Sequence, residues 1–262
     1  MKKSSSTPTI TNKHKIKIGF VPVLDCAPLI IAEQKGFFKQ RGLNIELSYE
    51  VGWATIREKL LYHQLDGAHA LAGLFLAMRM GLSTQKASVY APFIFNQNGN
   101  AITLSREIAN AGVTNSKDLR GLIKSKPRKL TFGVVSNYSS HHFILRNWLK
   151  SNKINPDQDV NIVFIPPTQM VDNMKSGLLD GFCVGEPWNS AAVLENVGWI
   201  VATSQDINPG HPEKILMVRE QLLTDYFNET SALVDALQEA CSFCANLDAR
   251  PEMIQILTRI MH

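Results

Sequence analysis

The sequence is short of the features that mark several function classes. It has four cysteines, Cys26, Cys183, Cys241 and Cys244, in 262 residues. So few thiols at uneven spacing do not make a disulfide framework. Cys241 and Cys244 form a Cys-x-x-Cys, but a structural zinc site needs four ligands and no second pair exists. A redox pair opens a helix after a strand, whereas this one falls mid-helix by pattern. Cys26 and Cys183 lie in apolar stretches and read as buried free thiols. No apolar run is long enough to span a membrane. The lysines of the N-terminal MKKSSSTPTITNKHK lead into no apolar leader, and there is no lipobox cysteine. The expected location is therefore cytoplasmic, with a periplasmic or membrane-associated position as the alternative if a leader precedes this chain. No Gly-rich phosphate loop, H-E-x-x-H or G-x-S-x-G is present, and no nucleophile–base pairing is visible. The chain reads as a binder, not an enzyme, with no cofactor and no metal. The formal net charge is +4, part of it from Lys2, Lys3, Lys13, Lys15 and Lys17. No basic stripe is interleaved with aromatics, which argues against direct nucleic-acid binding. A small anion needs only a local cluster of donors and stays open as a ligand.

What is present is an α/β pattern. Apolar, β-branched runs alternate with amphipathic stretches along most of the chain, which predicts parallel or mixed sheets. Glu50 to Ala70 passes from a Gly52-Trp53 turn through a helix carrying Ile56, Leu60 and Leu61, then through Leu65-Asp66-Gly67 into an apolar strand. Met174 to Val184 repeats the phrase, ending in Leu179-Asp180-Gly181 before a strand. Two distant copies in otherwise dissimilar surroundings predict two similar α/β lobes with a ligand between them. The expected division is a disordered tail over 1–15, a first lobe over 16–103 plus 204–262, and a second lobe over 104–203. Asn96-Gln97-Asn98-Gly99-Asn100 reads as a loop at the crossover. Ser116 is the expected cap of the second lobe's first helix. Pro187 is expected at the first position of a later helix.

Several residues are candidates for holding a ligand, each beside a plainer reading. Trp53, expected just before its helix at the carboxyl edge of a sheet, can donate its indole N–H or simply pack. Gln97 can offer an amide or serve a turn. His141, at a helix start, can donate a neutral N–H beside free backbone amides, or cap and face solvent with His142. Gly185 and Glu186 put a carboxylate at a helix start, where it also favours the helix dipole. Lys214 can supply one formal positive charge or be a solvated lysine.

Taken together, KIGFVPVLDCAPLIIAEQKGFF, EVGWATIREKLLYHQLDGAHALAG, NQNGNAITLS, SSHHFILRNWL, GFCVGEPWN and HPEKIL resemble the nitrate- and bicarbonate-binding proteins of ABC transporters, in the same order and over nearly the whole chain. The resemblance implies a type II periplasmic-binding-protein fold with a cleft at a hinge crossed twice. It implies that Trp53, Gln97, His141 and Lys214 hold nitrate, with Gly185 and Glu186 on the second lobe's cleft loop. An indole, an amide, an imidazole and an ammonium suit a planar monovalent anion. Such donors on both lobes would close the cleft around it. The absent leader makes the chain look like the family's cytosolic branch, nitrate/nitrite sensors that hold an RNA-binding antitermination partner. The runner-up is the substrate-binding component of a nitrate, bicarbonate or cyanate ABC importer, with that importer's membrane subunits as partners. A thiamine-pyrimidine-synthase-like enzyme is disfavoured, because its cysteine-rich iron-binding motif is missing. The family usually continues past His262, so the C-terminal part of the first lobe is expected to be incomplete.

Overall fold

Alternating β and α segments build the described part of the chain, residues 14–82 and 85–260 of a computed structural model. The tail expected over 1–15 lies almost wholly outside the described residues. The strands in chain order are β1 (Lys15–Phe20), β2 (Asn44–Tyr49), β3 (Gly67–Leu71), β4 (Val89–Gln97), β5 (Asn100–Ser105), β6 (Leu130–Val134), β7 (Val160–Phe164), β8 (Gly181–Gly185), β9 (Gly198–Thr203) and β10 (Pro212–Arg219). They form two five-stranded sheets, ordered β2-β1-β3-β10-β4 and β7-β6-β8-β5-β9. In each sheet one strand pairs in parallel with two neighbours, β1 with β2 and β3, β6 with β7 and β8. In each, the next strand runs antiparallel, β10 between β3 and β4, β5 between β8 and β9. The lobes are therefore built alike, and the first takes its antiparallel strand β10 from beyond the whole of the second lobe.

The repeated Leu-Asp-Gly has a physical explanation. Asp66 and Asp180 each stand just before a strand and accept a backbone N–H from the strand alongside, that of Lys17 at 2.8 Å and that of Thr131 at 2.8 Å. Each also pairs with an arginine, Asp66 with Arg219 and Asp180 with Arg128. The glycine then lets the strands come close. A Cβ on Gly67 would lie 3.0 Å from the Met217 carbonyl oxygen, and one on Gly181 would lie 2.9 Å from that of Thr103. The aspartate fixes the register between neighbouring strands, and the missing side chain makes room for the antiparallel strand on the other flank.

Side-chain alternation along β10 divides the first lobe's core. Leu216 and Val218 join Ile16, Ile18, Leu29 and Ile31 beneath the helices Ala27–Gln34 and Phe227–Ala245. Ile215 and Met217 face the other way, onto Trp53, Ile56 and Leu60 of the helix Trp53–Leu61. A strand covered on both faces should be apolar nearly throughout, and β10 is buried from Glu213 to Val218.

Five local expectations need correction. Strand β5 pairs only within the second sheet, so the division at 103/104 cuts a strand and the first crossing lies at Asn98-Gly99. The amide-rich loop over 96–100 shrinks to those two residues, both at positive φ (59° and 90°), while Asn96 and Gln97 belong to β4. Asn115, not Ser116, caps the helix Ser116–Ser125, accepting from the Lys117 and Asp118 amides. Pro187 is the residue before the helix Trp188–Leu194, and Trp53 is the first residue of its own helix. Ser139 caps the helix Ser140–Ser151 by accepting the His142 N–H.

Replacing Asp180 by Ala leaves a strand amide and an arginine without their partner. It should lower stability by about 2 kcal/mol in urea unfolding. Gly181→Ala should cost about 1–3 kcal/mol by forcing a methyl group against the Thr103 carbonyl.

Candidate functional site: a buried charge cluster between the lobes

The helix starts and strand ends that face each other across the lobes bring charged side chains out of solvent. Lys214, in β10, is 1% exposed. Its Nζ donates to Asp25 Oδ2 at 2.8 Å and to Glu213 Oε1 at 2.8 Å, and stands 5.8 Å from the centre of the Trp53 ring. Successive residues of a regular strand point to opposite faces, yet Glu213 and Lys214 meet in one cluster. The pairing of β10 with β4 shifts register on either side of Lys214, and such irregularities re-aim side chains. The Lys214 amide is held by Asn96 Oδ1 at 3.2 Å.

Glu213 is wholly buried. Its carboxylate accepts from Asn100 Nδ2 at 2.5 Å, from Ser140 Oγ and from Lys214. His141 Nε2 and His211 Nε2 approach it at 3.3 and 3.4 Å. Neither imidazole is aligned as a hydrogen-bond donor, so both ring nitrogens of His141 and Nε2 of His211 lack a partner in the protein. Burial, the largest influence, opposes the charge on Glu213, but Lys214 and the imidazoles hold its pKa well below the carboxylate range. Burial likewise opposes the charge on Lys214, and Asp25 and Glu213 outweigh it, raising the ammonium above its ordinary value. Removing either partner from such a buried pair leaves an uncompensated charge.

Behind Lys214, His69 of β3 is fully buried, with Nε2 3.1 Å from the Asp25 carbonyl oxygen and its ring edge-on to Phe95. A carbonyl only accepts, so Nε2 carries the hydrogen in that contact. Burial depresses the His69 pKa from 6.5 to about 4, which keeps the imidazole neutral at physiological pH.

The lobes touch closely here. The Leu24 amide donates to the Glu186 carbonyl at 3.2 Å. A Cβ on Gly185 would lie 3.4 Å from Asn100 Oδ1 and 4.0 Å from Asp25 Oδ2. A Cβ on Gly73 would lie 2.0 Å from the Tyr138 carbonyl oxygen. Alongside, a crevice of about 230 Å³ runs between Trp53, Arg57 and Leu74 on one lobe and Ser136, Tyr138 and Phe164 on the other.

Of the residues singled out from sequence, the structure gathers Trp53, His141, Gly185 and Lys214 around Asp25 and Glu213. The Trp53 indole nitrogen is buried and without a partner in the protein. Glu186 touches the cluster through its backbone only, and its side chain accepts the Ser190 N–H at the start of the helix Trp188–Leu194. Gln97 is exposed at the end of β4, opposite Pro212, and is not brought in. Asp25, His69, Asn100, Ser140, His211 and Glu213 belong to the cluster and were not singled out. Glu213 stands beside Lys214 in the HPEK phrase, which is the one signal that pointed to it. Among the described residues no group of three or more His, Cys, Asp or Glu side chains is placed to hold a metal ion. No helix among them is long and apolar enough to cross a membrane.

A family model described as the NMT1-like family matches residues 10–258. The chain belongs to the NMT1-like family. This family member is 43% identical over 248 residues to the nitrate import ATP-binding protein NrtC of Synechocystis sp. (strain PCC 6803), covering 94% of this chain and 37% of NrtC. It is 40% identical to the bicarbonate transport ATP-binding protein CmpC of the same organism, again covering 94% of this chain and 37% of CmpC. The crystal structure of the periplasmic nitrate-binding protein NrtA from Synechocystis PCC 6803 superposes with a TM-score of 0.88 at 30% identity, covering 93% of this chain and 65% of NrtA. The chain thus spans less than two-thirds of the length of each of these relatives. The two-lobed periplasmic-binding-protein fold expected from sequence is the fold observed.

His69 gives the site a pH signature. Its unfolded pKa lies near 6.5 and its folded value at about 4, so between them the unfolded chain binds the extra proton. Stability is then lost as pH falls from 6.5 to 4, by about 3 kcal/mol. In His69→Leu, thermal or urea unfolding across that window should show a loss smaller by up to this amount.

Proposed function

We propose that the chain is a non-catalytic anion-binding unit of an ABC-type nitrate import system, taking a small planar anion such as nitrate or nitrite between its lobes. One observation carries this reading. Buried polar groups without a hydrogen-bond partner in the protein, the Trp53 indole N–H from the first lobe and the His141 imidazole, with its one N–H, from the second, lie at the cluster that holds the buried ammonium of Lys214. Unpaired buried donors are costly, and an anion held between them would satisfy both lobes at once. Nitrate is preferred over bicarbonate because NrtA, which shares the fold at 30% identity, is a nitrate-binding protein, and NrtC, at 43%, is a nitrate import component. The role of Gln97 needs a movement that brings it inward from its exposed position. Glu186, engaged at its own helix start, is assigned a structural part.

Catalysis is not part of the reading. The Cys26 thiol is pushed up to about 12, chiefly by burial, and burial raises that of Cys183 well above its ordinary value. Neither is available as a thiolate nucleophile. The relatives described above are import components, and none supports a sensor that holds an RNA-binding antitermination partner. The importer reading takes precedence for that reason, with an ATP-binding component as the implied partner. The likeness to NrtA, a periplasmic protein, supports the periplasmic alternative over the cytoplasmic location expected from sequence. Fractionation of the native protein separates the two.

Calorimetric titration of the purified chain should show saturable heat with nitrate or nitrite. Trp53→Phe keeps a ring for packing and removes the donor, and should weaken binding by about 1 kcal/mol or more. Lys214→Gln should abolish binding. Unchanged affinity in both variants, or saturable heat with bicarbonate alone, would refute the assignment.

A further inference from the structure

The charges of the cluster do not balance for an anion. Lys214 contributes one positive charge, and Asp25 and Glu213 contribute two negative ones. The other titratable groups packed around Glu213 are His211 on the approach to β10, His141 on the helix Ser140–Ser151, His69 on β3 and Cys183 on β8. His69 is held neutral by burial, and so is the Cys183 thiol. With neutral imidazoles the buried cluster is already one charge negative, and a monoanion placed beside Lys214 would make it two.

We propose that the cleft takes up its anion together with one proton, and that the Glu213–His211 pair receives it. This rests on the anion-binding reading above. The geometry assigns the receiving atom. His211 Nδ1 lies 2.9 Å from the Asn208 carbonyl oxygen, and a carbonyl only accepts, so Nδ1 carries the hydrogen. In the neutral ring Nε2 is then a bare lone pair facing Glu213 Oε2 at 3.4 Å. Adding a proton to Nε2 turns that opposition of two acceptors into an ion pair between imidazolium and carboxylate. The Glu213 carboxylate raises the His211 pKa above its ordinary 6.5, which agrees with a ring ready to charge. His211 is 9% exposed, so the pair can exchange protons with solvent while Glu213 itself stays covered.

Lobe movement supplies the coupling. Glu213 belongs to the first lobe, while its donors Asn100 and Ser140 and its neighbour His141 belong to the second. Its carboxylate is planar and accepts from both lobes, as a bound planar anion would. An arriving anion competes with Glu213 for Lys214 and His141. A proton on the Glu213–His211 pair lowers the negative charge against which the anion must bind.

The test is nitrate titration of the intact chain by calorimetry at pH 6, 7, 8 and 9, in buffers of different ionisation enthalpy. Nitrate does not titrate in this range, so any proton taken up goes to the protein. The expected result is uptake that approaches one proton per nitrate as pH rises, with the apparent Kd weakening by up to tenfold per pH unit at the alkaline end. Glu213→Gln and His211→Asn should each remove the uptake and flatten the pH dependence. Nitrate binding by the unaltered chain without proton exchange overturns this inference and leaves the anion-binding reading standing. Uptake that persists in either variant also overturns it. No saturable heat with nitrate or nitrite at any pH overturns both readings.

Discussion

A lysine with 1% exposure, held between two carboxylates, organises this molecule. A buried ammonium is tolerated only when its charge is met and its hydrogens are used. Asp25 reaches it from the turn before the first helix, Glu213 from the same strand, and Glu213 is in turn held by Asn100 and Ser140 of the other lobe. One buried charge therefore ties both lobes and both faces of the cleft into a single electrostatic unit. The apolar cores on either side are ordinary packing. The feature that makes this pair of lobes a site is that the polar groups between them are only partly satisfied by one another.

Much of this was legible in the sequence, for identifiable reasons. The alternation of strands and helices follows from periodicity, and the paired Leu-Asp-Gly phrases mark equivalent places in two sheets because the same problem, aligning a strand amide while clearing space for a neighbour, is solved twice. Trp53, His141 and Lys214 were readable as candidates, and the structure brings them together. The sheet change at Asn98-Gly99 was misplaced because two residues at positive φ suffice to turn the chain, where five polar ones suggested a longer loop. Asp25 and Glu213 were passed over because a charged residue carries no mark in the sequence of the partner that lets it be buried.

The closed arrangement rests on contacts between backbones as much as on charges. Gly73 lies directly against the Tyr138 carbonyl, and the Leu24 amide meets the Glu186 carbonyl. Main-chain surfaces do not swing aside as side chains do, so these points fix how far the lobes can approach. The depth of closure, and with it the distance between Trp53 and His141, is set by the covalent frame. Hydrogen bonds from Asn100 and Ser140 of the second lobe to Glu213 of the first hold the lobes at that depth.

Strand β10 lies between β3 and β4 in the first sheet, although more than a hundred residues and an entire second lobe separate it from β4 along the chain. The second lobe is continuous in sequence and can assemble from its own segment as it emerges during synthesis. The first lobe cannot: until residues 212–219 arrive, β3 and β4 have an open seam between them and the apolar faces on both sides of that seam are uncovered. Strand β10, the last strand among the described residues, is thus the one that zips the first sheet shut. It also carries Glu213 and Lys214, so the charge cluster comes into being in the same event that closes the first sheet.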